Sequence, residues 1–270
     1  MRRVRPTRIL VYLLLLAFSG WALLPLWSGV VTALKSSQEV VLSTPLTPPA
    51  RPTLDPLKEA LDYLKRPLVN SLVLVGAGTM VSCFFGSILG YLFSKYRFRG
   101  SNLLFLLVII CLYIPPQVQL IPMTQFVSKV GLYGKLGALV LLYMFFGIPM
   151  CTFVFKTLYE EIPESYIKAA MVDGAGIWTT YRRVILPLSV IPFVIAALLQ
   201  VTIIWNDYLW GLVLTRGMAN MPVTVALANL KGSFVGAWNL QMAGSIWVAL
   251  PTLIIFIFLG KYIIRGYAGL

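Results

Sequence analysis

Long apolar runs alternate along the chain with shorter polar connections, and most of the charge sits in the connections. A helix needs about 20 apolar residues to cross a bilayer, because each residue rises about 1.5 Å through a hydrocarbon core of roughly 30 Å. Six stretches reach that length: 9–34, 69–93, 102–122, 137–158, 188–211 and 241–264. Their interiors are almost free of charge, Asp207 being the exception. The pattern predicts an all-α, polytopic membrane protein with about six transmembrane helices in a single domain over residues 1–270.

Composition turns that pattern into an exclusion. The 270 residues are 59% hydrophobic and 11% charged, whereas a soluble domain covers its surface with roughly a quarter charged residues. The lipid bilayer is therefore an expected partner. The formal charge of +13 comes from 22 Lys and Arg against 9 Asp and Glu. Without a basic stripe or a module signature it does not point to nucleic acid. Instead it follows the positive-inside rule. One side takes Arg2, Arg3, Arg5 and Arg8, then Lys95, Arg97 and Arg99, then Lys156, Lys168, Arg182 and Arg183, and finally Lys261 and Arg265. The other takes Lys35, Arg51, Lys58, Lys65, Arg66, Lys129, Lys135, Arg216 and Lys231. The bias favours cytoplasmic N- and C-termini, although Lys65–Arg66 falls on the outer side. The first apolar run is too long for a signal peptide and reads as an uncleaved first helix.

Catalytic chemistry finds little to work with. Histidine is absent, which removes the commonest general base and metal ligand. Cys83, Cys111 and Cys151 lie in apolar runs without metal-site spacing and read as free thiols packed in membrane helices. No catalytic residue, metal ligand or cofactor site is expected. Trp21, Trp27 and Trp247 read as interface anchors or lipid-facing residues, and Gly76, Gly78, Gly86 and Gly90 predict close helix packing in the second span. Between the first two spans, Pro45, Pro48, Pro49, Pro52 and Pro56 predict a stiff, extended loop. Asp55 and Pro56 then read as the start of a short helix on the outer membrane face.

The connection from Glu160 to Pro187 differs from the others. Pro163 suits a helix start, with Glu164 favourable in its first turn. Ser165–Val172 can continue as helix, bringing Tyr166, Ala169 and Ala170 together on one face. Gly174 can take the left-handed conformation that ends it, and a second helix would run to Pro187. Such an element is either an amphipathic connector or a knob for a partner's cleft.

The run Lys168-Ala169-Ala170-x-x-Asp173-Gly174-Ala175, followed by Val184-x-Leu186-Pro187, resembles the EAA motif of binding-protein-dependent ABC importer permeases. That motif reads Glu-Ala-Ala, three residues, Gly, nine residues, Ile-x-Leu-Pro. The spacing is kept, with Lys168 in place of the glutamate and Val184 in place of the isoleucine. The likeness runs from about Asn70 to Gly266 and points to the maltose-type carbohydrate-uptake family, nearest its glucose/mannose branch. Ile114-Pro115-Pro116-Gln117, Trp205-Asn206-Asp207-Tyr208, Ala249-Leu250-Pro251-Thr252 and Gly260-Lys261-Tyr262 carry it. Relatives usually extend several residues beyond the position of Leu270.

The resemblance implies a type I importer fold and a passive conduit in the cell inner membrane. Its implied partners are a homologous second permease subunit, two ATPase subunits and an extracytoplasmic sugar-binding protein. ATP and Mg would be bound by the ATPases, since this chain has no Gly-x-x-x-x-Gly-Lys-Ser/Thr phosphate loop. Glu164, Lys168, Ala169, Ala170, Asp173, Gly174, Ala175, Leu186 and Pro187 would form the ATPase-coupling element. Sugar hydroxyls favour amide, carboxylate and aromatic partners in an apolar wall. Trp205, Asn206, Asp207 and Tyr208, with Gln117 and Gln119, are therefore candidates for sugar contact, for a gate, or for structural packing between helices. The implied function is import of a sugar, a monosaccharide such as glucose or mannose, by alternating access. Alternatives are a permease for an oligosaccharide or glycerol phosphate, an ion-coupled carrier, and a membrane scaffold.

Overall fold

The computed structural model describes residues 6–230 and 237–268. Lys231 and the tail at Leu270 lie outside the described residues, as do the side chains of Lys261, Tyr262 and Arg265. The described chain is helical: α1 (Pro6–Ala33), α2 (Ser37–Leu42), α3 (Asp55–Lys95), α4 (Ser101–Tyr113), α5 (Pro116–Lys129), α6 (Leu136–Glu160), α7 (Glu164–Val172), α8 (Ile177–Leu188), α9 (Val190–Asn206), α10 (Leu209–Leu214), α11 (Val223–Asn229) and α12 (Trp238–Ala268). Among the described residues there is no strand, only an isolated bridge between Gly134 and Thr215.

Four of these helices are long and apolar enough to cross a membrane, and two bent pairs raise the number to six. Two of the six expected spans are therefore bent rather than straight. The third expected span, 102–122, breaks between α4 and α5 at an angle of 97°. Pro115 and Pro116 cause it: a residue before proline is pushed out of the helical region, and Pro116 suits the first position of a new helix. The fifth, 188–211, bends by 78° at Ser189, between α8 and α9, and its helix stops at Asn206. Pro192 offers no N–H to the carbonyl of Leu188, which leaves the ladder open there. The short surface helix expected from Asp55 is not separate either. It continues into the second span as one 41-residue helix, with Pro67 inside it.

The chain divides into two compact units, residues 1–65 with 227–250 and residues 66–226 with 251–270. The first has a small core of Ala33, Ala60 and Ala243, packed with Leu57, Leu240 and Trp247. Lys35 is buried there and donates to Ser43 Oγ (2.8 Å) and the Thr44 carbonyl (2.7 Å), while Asn239 donates to the Lys35 carbonyl (3.0 Å). Polar groups thus hold the polar loop, as buried charge requires. Trp247 donates to the Leu57 carbonyl at 2.9 Å, so it is tied into this unit's packing. Trp21 is 69% exposed, in keeping with a lipid-facing role.

The second unit is built on α3 and α6. Gly78, Ser82, Gly86 and Gly90 lie four residues apart on one face of α3. They meet Tyr143, Gly147, Cys151 and Phe155, also four apart, on α6. Numbers rise together on both helices, so the pair is parallel. At each of the four rungs a small residue lets the other helix approach closely. A Cβ on Gly78 would lie 2.9 Å from Tyr143 Cβ, and one on Gly90 2.6 Å from Phe155 Cβ. A Cβ on Gly86 would collide with Cys151, and one on Gly147 with Ser82 and Gln200 of α9. Without a hydrophobic drive between lipid-solvated helices, such close packing is what holds them together. Three of the four glycines named from the sequence serve this face; a Cβ on Gly76 would meet nothing. The ladder also brings Cys83 and Cys151 together, Sγ to Sγ 3.9 Å, both buried.

Candidate functional site

The segment between α6 and α9 carries the predicted coupling residues. Pro163 precedes α7, and Glu164 occupies its first turn. Gly174 has φ +79° directly after the helix, the left-handed ending its sequence predicts, with Asp173 at the C-cap. The Gly174 and Ala175 N–H groups bond back to Met171 and Ala170. Of α7 only Ile167 is buried. Lys168, Ala169, Met171, Val172 and Asp173 face outward, and Ala170 is half-buried. A small, partly apolar knob therefore projects from the bundle, anchored by Ile167.

Lys168 bonds its own helix. Its Nζ lies 3.0 Å from Glu164 Oε2, one turn earlier, and both side chains are 74% exposed. Hydrogen bonding to Lys168 holds the Glu164 carboxyl below its ordinary range. The lysine that replaces the motif's glutamate is thus accompanied by a carboxylate on the same knob.

The second half of the segment is α8, which contains a π-helical turn at Tyr181–Ile185. Pro187 accounts for it: without an N–H it cannot bond the Arg183 carbonyl, and the Leu186 N–H reaches back five residues to Tyr181. Leu186 and Pro187 are exposed, whereas Tyr181 and Ile185 are buried. Beneath α7 and α8 lies a core of Tyr91, Phe155, Tyr159, Ile167, Tyr181 and Ile185.

Polar groups on α3 hold this segment; in the sequence Lys95 counted only toward the charge bias, and Ser87 and Tyr91 did not stand out. Ser87 Oγ shares hydrogen bonds with the Tyr181 hydroxyl (2.7 Å) and the Tyr159 hydroxyl (3.0 Å). The Tyr91 hydroxyl donates to the Ile177 carbonyl (3.2 Å) and pairs with the Tyr96 hydroxyl (2.7 Å). Lys95 Nζ donates to the Ile162 carbonyl (2.6 Å). Ser87, Tyr91 and Lys95 are spaced i, i+4, i+8, so they line one face of α3. That spacing was the one signal the sequence offered for them.

At the opposite end of the α3–α6 pair, Asp207 caps α9. Its Oδ2 accepts from the Tyr143 hydroxyl (2.7 Å) and the Gly211 N–H (3.2 Å), and Thr224 donates to its carbonyl (2.5 Å). Asn70 donates to the carbonyls of Ala219 and Met221 at 3.0 Å, and Ser71 accepts from the Val223 N–H at 2.8 Å. The candidates around Asp207 separate here: Trp205 is buried, Asn206 and Tyr208 are exposed, and Asp207 is half-buried. Gln117 is exposed on α5, while Gln119 is half-buried and donates to the Ile114 carbonyl at 3.0 Å.

An all-helical, multi-pass membrane bundle with a protruding helix–glycine–helix segment is the architecture of a transporter's membrane subunit. Residues 82–267 match the family described as the binding-protein-dependent transport system inner membrane component, and the chain belongs to that family. It is 49% identical, over 100% of its length and 98% of the relative's, to a probable ABC transporter permease protein of Pyrococcus horikoshii. It is 30% identical to the xylose/arabinose import permease protein XacI of Haloferax volcanii (96% and 91% covered). Identity is 28% to the glucose import system permease protein GlcU of Saccharolobus solfataricus (100% and 97% covered). In fold it is similar to a chain of a bacterial ABC transporter that imports the acidic polysaccharide alginate, with a TM-score of 0.82, 21% identity, and 97% and 98% covered. The chain is an ABC importer permease of the carbohydrate-uptake type.

Proposed function

We propose that this chain is the translocating subunit of an ATP-driven importer in the cytoplasmic membrane, carrying a monosaccharide such as glucose or mannose. The projecting knob of α7, ended by a left-handed Gly174 at the spacing of the EAA motif, supports this reading best. A separate ATPase would seat Ala169, Ala170 and the exposed Met171 and Val172 in its cleft. Ala175, Leu186 and Pro187 set the angle at which the knob leaves the bundle. ATP and Mg belong to two such ATPase subunits. A second, homologous permease completes the conduit, and an extracytoplasmic binding protein delivers the sugar. With both termini cytoplasmic, the Lys95 end of α3 faces the ATPases and the Asn70 end faces the binding protein. ATP-driven closure of the ATPase pair would then shift the chain between inward- and outward-open states.

Near the outer end, Asp207 serves as an anchor, because its carboxylate is already engaged by Tyr143 and Gly211. The exposed Asn206, Tyr208 and Gln117 are better placed to meet a sugar or a gate. The relatives named for xylose/arabinose and for glucose import support a monosaccharide, while those named for arabinooligosaccharides keep an oligosaccharide as the alternative.

The test is purification of the complex from the native membrane, followed by uptake of labelled glucose, mannose, xylose and maltose into proteoliposomes. Co-purification of an ATPase and ATP-dependent uptake of a monosaccharide are expected. Uptake that persists without the ATPase would sink the importer mechanism, and preference for maltose would sink the monosaccharide assignment.

A further inference from the structure

The coupling segment is fastened to one helix at three successive points. Ser87 holds the middle of α8 through Tyr181, Tyr91 holds the start of α8 through the Ile177 carbonyl, and Lys95 holds the turn before α7 through the Ile162 carbonyl. Each fastening comes from the next turn of α3, and together they bracket the knob on both sides. No comparable set of hydrogen bonds links α7 itself to the bundle among the described residues, where only Ile167 is buried. A push on the knob therefore reaches the membrane helices through these fastenings and the tyrosine core beneath them. Hydrogen bonds suit this task because they are directional and hold both lateral position and rotation. The hydrophobic effect alone is non-directional and does not fix rotation in this way.

We propose that Ser87, Tyr91 and Lys95 of α3, with Tyr181 of α8, are the positioning residues that pass displacement of the docking segment to the membrane helices. This rests on the reading of α7 as an ATPase docking knob. The aromatic rings set the spacing: Tyr181 stacks on Trp178 with centroids 5.3 Å apart and tilts against Tyr91 at 5.5 Å. The hydroxyl of Tyr181 then fixes its rotation by meeting Ser87 in a site where Tyr159 supplies a second hydroxyl. Next to α8 the backbone bends by 78° at Ser189, so α9 need not follow α8 rigidly. The direct route from the knob is then into α3, and from α3 through the four-rung ladder into α6.

The experiment uses the assembled complex with its ATPase subunits, reconstituted with whichever labelled sugar the wild-type complex accumulates fastest. Tyr181→Phe, Ser87→Ala and Tyr91→Phe each remove a hydroxyl and keep the surrounding bulk. Sugar moved per ATP hydrolysed is the readout, because a merely structural loss lowers transport and ATP hydrolysis together. We expect that ratio to fall about fivefold in Tyr181→Phe, the fold-change that corresponds to one net hydrogen bond. Ser87→Ala should match it, and the double variant should lose no more than either single one. A ratio equal to wild type in all three variants overturns the proposal. So does failure of these variants to assemble, which would make the hydroxyls determinants of folding. If the wild-type chain holds no ATPase, the docking reading has failed before the positioning residues are tested.

Discussion

The two ends of the α3–α6 pair are both held by polar contacts, yet they grip different things. At the Asn70 end, Asn70 and Ser71 hold the backbone of Ala219, Met221 and Val223, and Thr224 holds the Asp207 carbonyl. Side chains meet each other there in the bonds from Tyr143 to Asp207 and from Arg216 to Tyr133. At the Lys95 end, Tyr91 and Lys95 also hold main-chain carbonyls, those of Ile177 and Ile162, but Ser87 and the hydroxyls of Tyr159, Tyr181, Tyr91 and Tyr96 add a set of side-chain-to-side-chain bonds in an aromatic core. A grip on the main chain fixes where a loop lies and tolerates change in the loop's side chains. A grip through side chains makes position depend on those residues. The side-chain grip is the one on which the positioning role proposed for Ser87 and Tyr181 depends.

Substitutions can break this contrast at graded cost. The largest effect is expected from Gly86→Leu, because it lies between the two ends and would push α3 off Cys151 and Thr152. Overpacking of this kind costs about 3 kcal/mol or more where backbone is the obstacle. The yield of monodisperse complex and its melting temperature should both fall, and both ends should loosen together. Tyr143→Phe should act on the Asn70 end alone. It removes the hydroxyl that donates to Asp207 Oδ2, at a cost of about 1–3 kcal/mol. A lower melting temperature is expected. A changed uptake KM without loss of stability would instead make Asp207 a sugar contact.

Gly174→Val should act on the Lys95 end alone. Nothing lies within 4 Å of the added Cβ, so the cost is the left-handed backbone, about 1–2 kcal/mol. Less ATPase should co-purify, and Gly174→Asn should restore most of it, since asparagine tolerates this conformation. The smallest effect belongs to Glu164→Gln, which removes an exposed ion pair with Lys168. The folded state holds this carboxyl below its ordinary value. Its small contribution is therefore present above the unfolded pKa and fades as pH falls through the folded one. ATPase co-purification measured between neutral and acidic pH should show a weaker loss in Glu164→Gln than in wild type.

Much of this was legible in the sequence. Apolar run length marked the spans. Gly174 marked its own left-handed turn, because a glycine closing a helical run takes positive φ without the clash that a Cβ would bring. Proline was legible only in part. Pro115 and Pro116 signalled a break, but the 97° bend depends on the packing around it. Pro67, by contrast, is carried inside α3 without ending it. Polar residues inside spans were the hardest to read. Asp207 drew attention by its charge, whereas Ser87, Tyr91, Tyr143 and Tyr159 look ordinary one at a time. Their meaning comes from partners 64 to 94 residues away, which periodicity within one helix cannot reveal.

The glycine-lined seam between α3 and α6 also limits how this protein can change shape. Four interlocked rungs act like the teeth of a keyed shaft. Sliding to the next fit would take four residues of helix, about 6 Å in one step, with every tooth disengaged on the way. Smaller adjustments along the seam have no resting place, so the two helices are expected to travel as one solid part. Whatever flexing transport needs is then left to the corners of the chain, at Pro115–Pro116 and at Ser189.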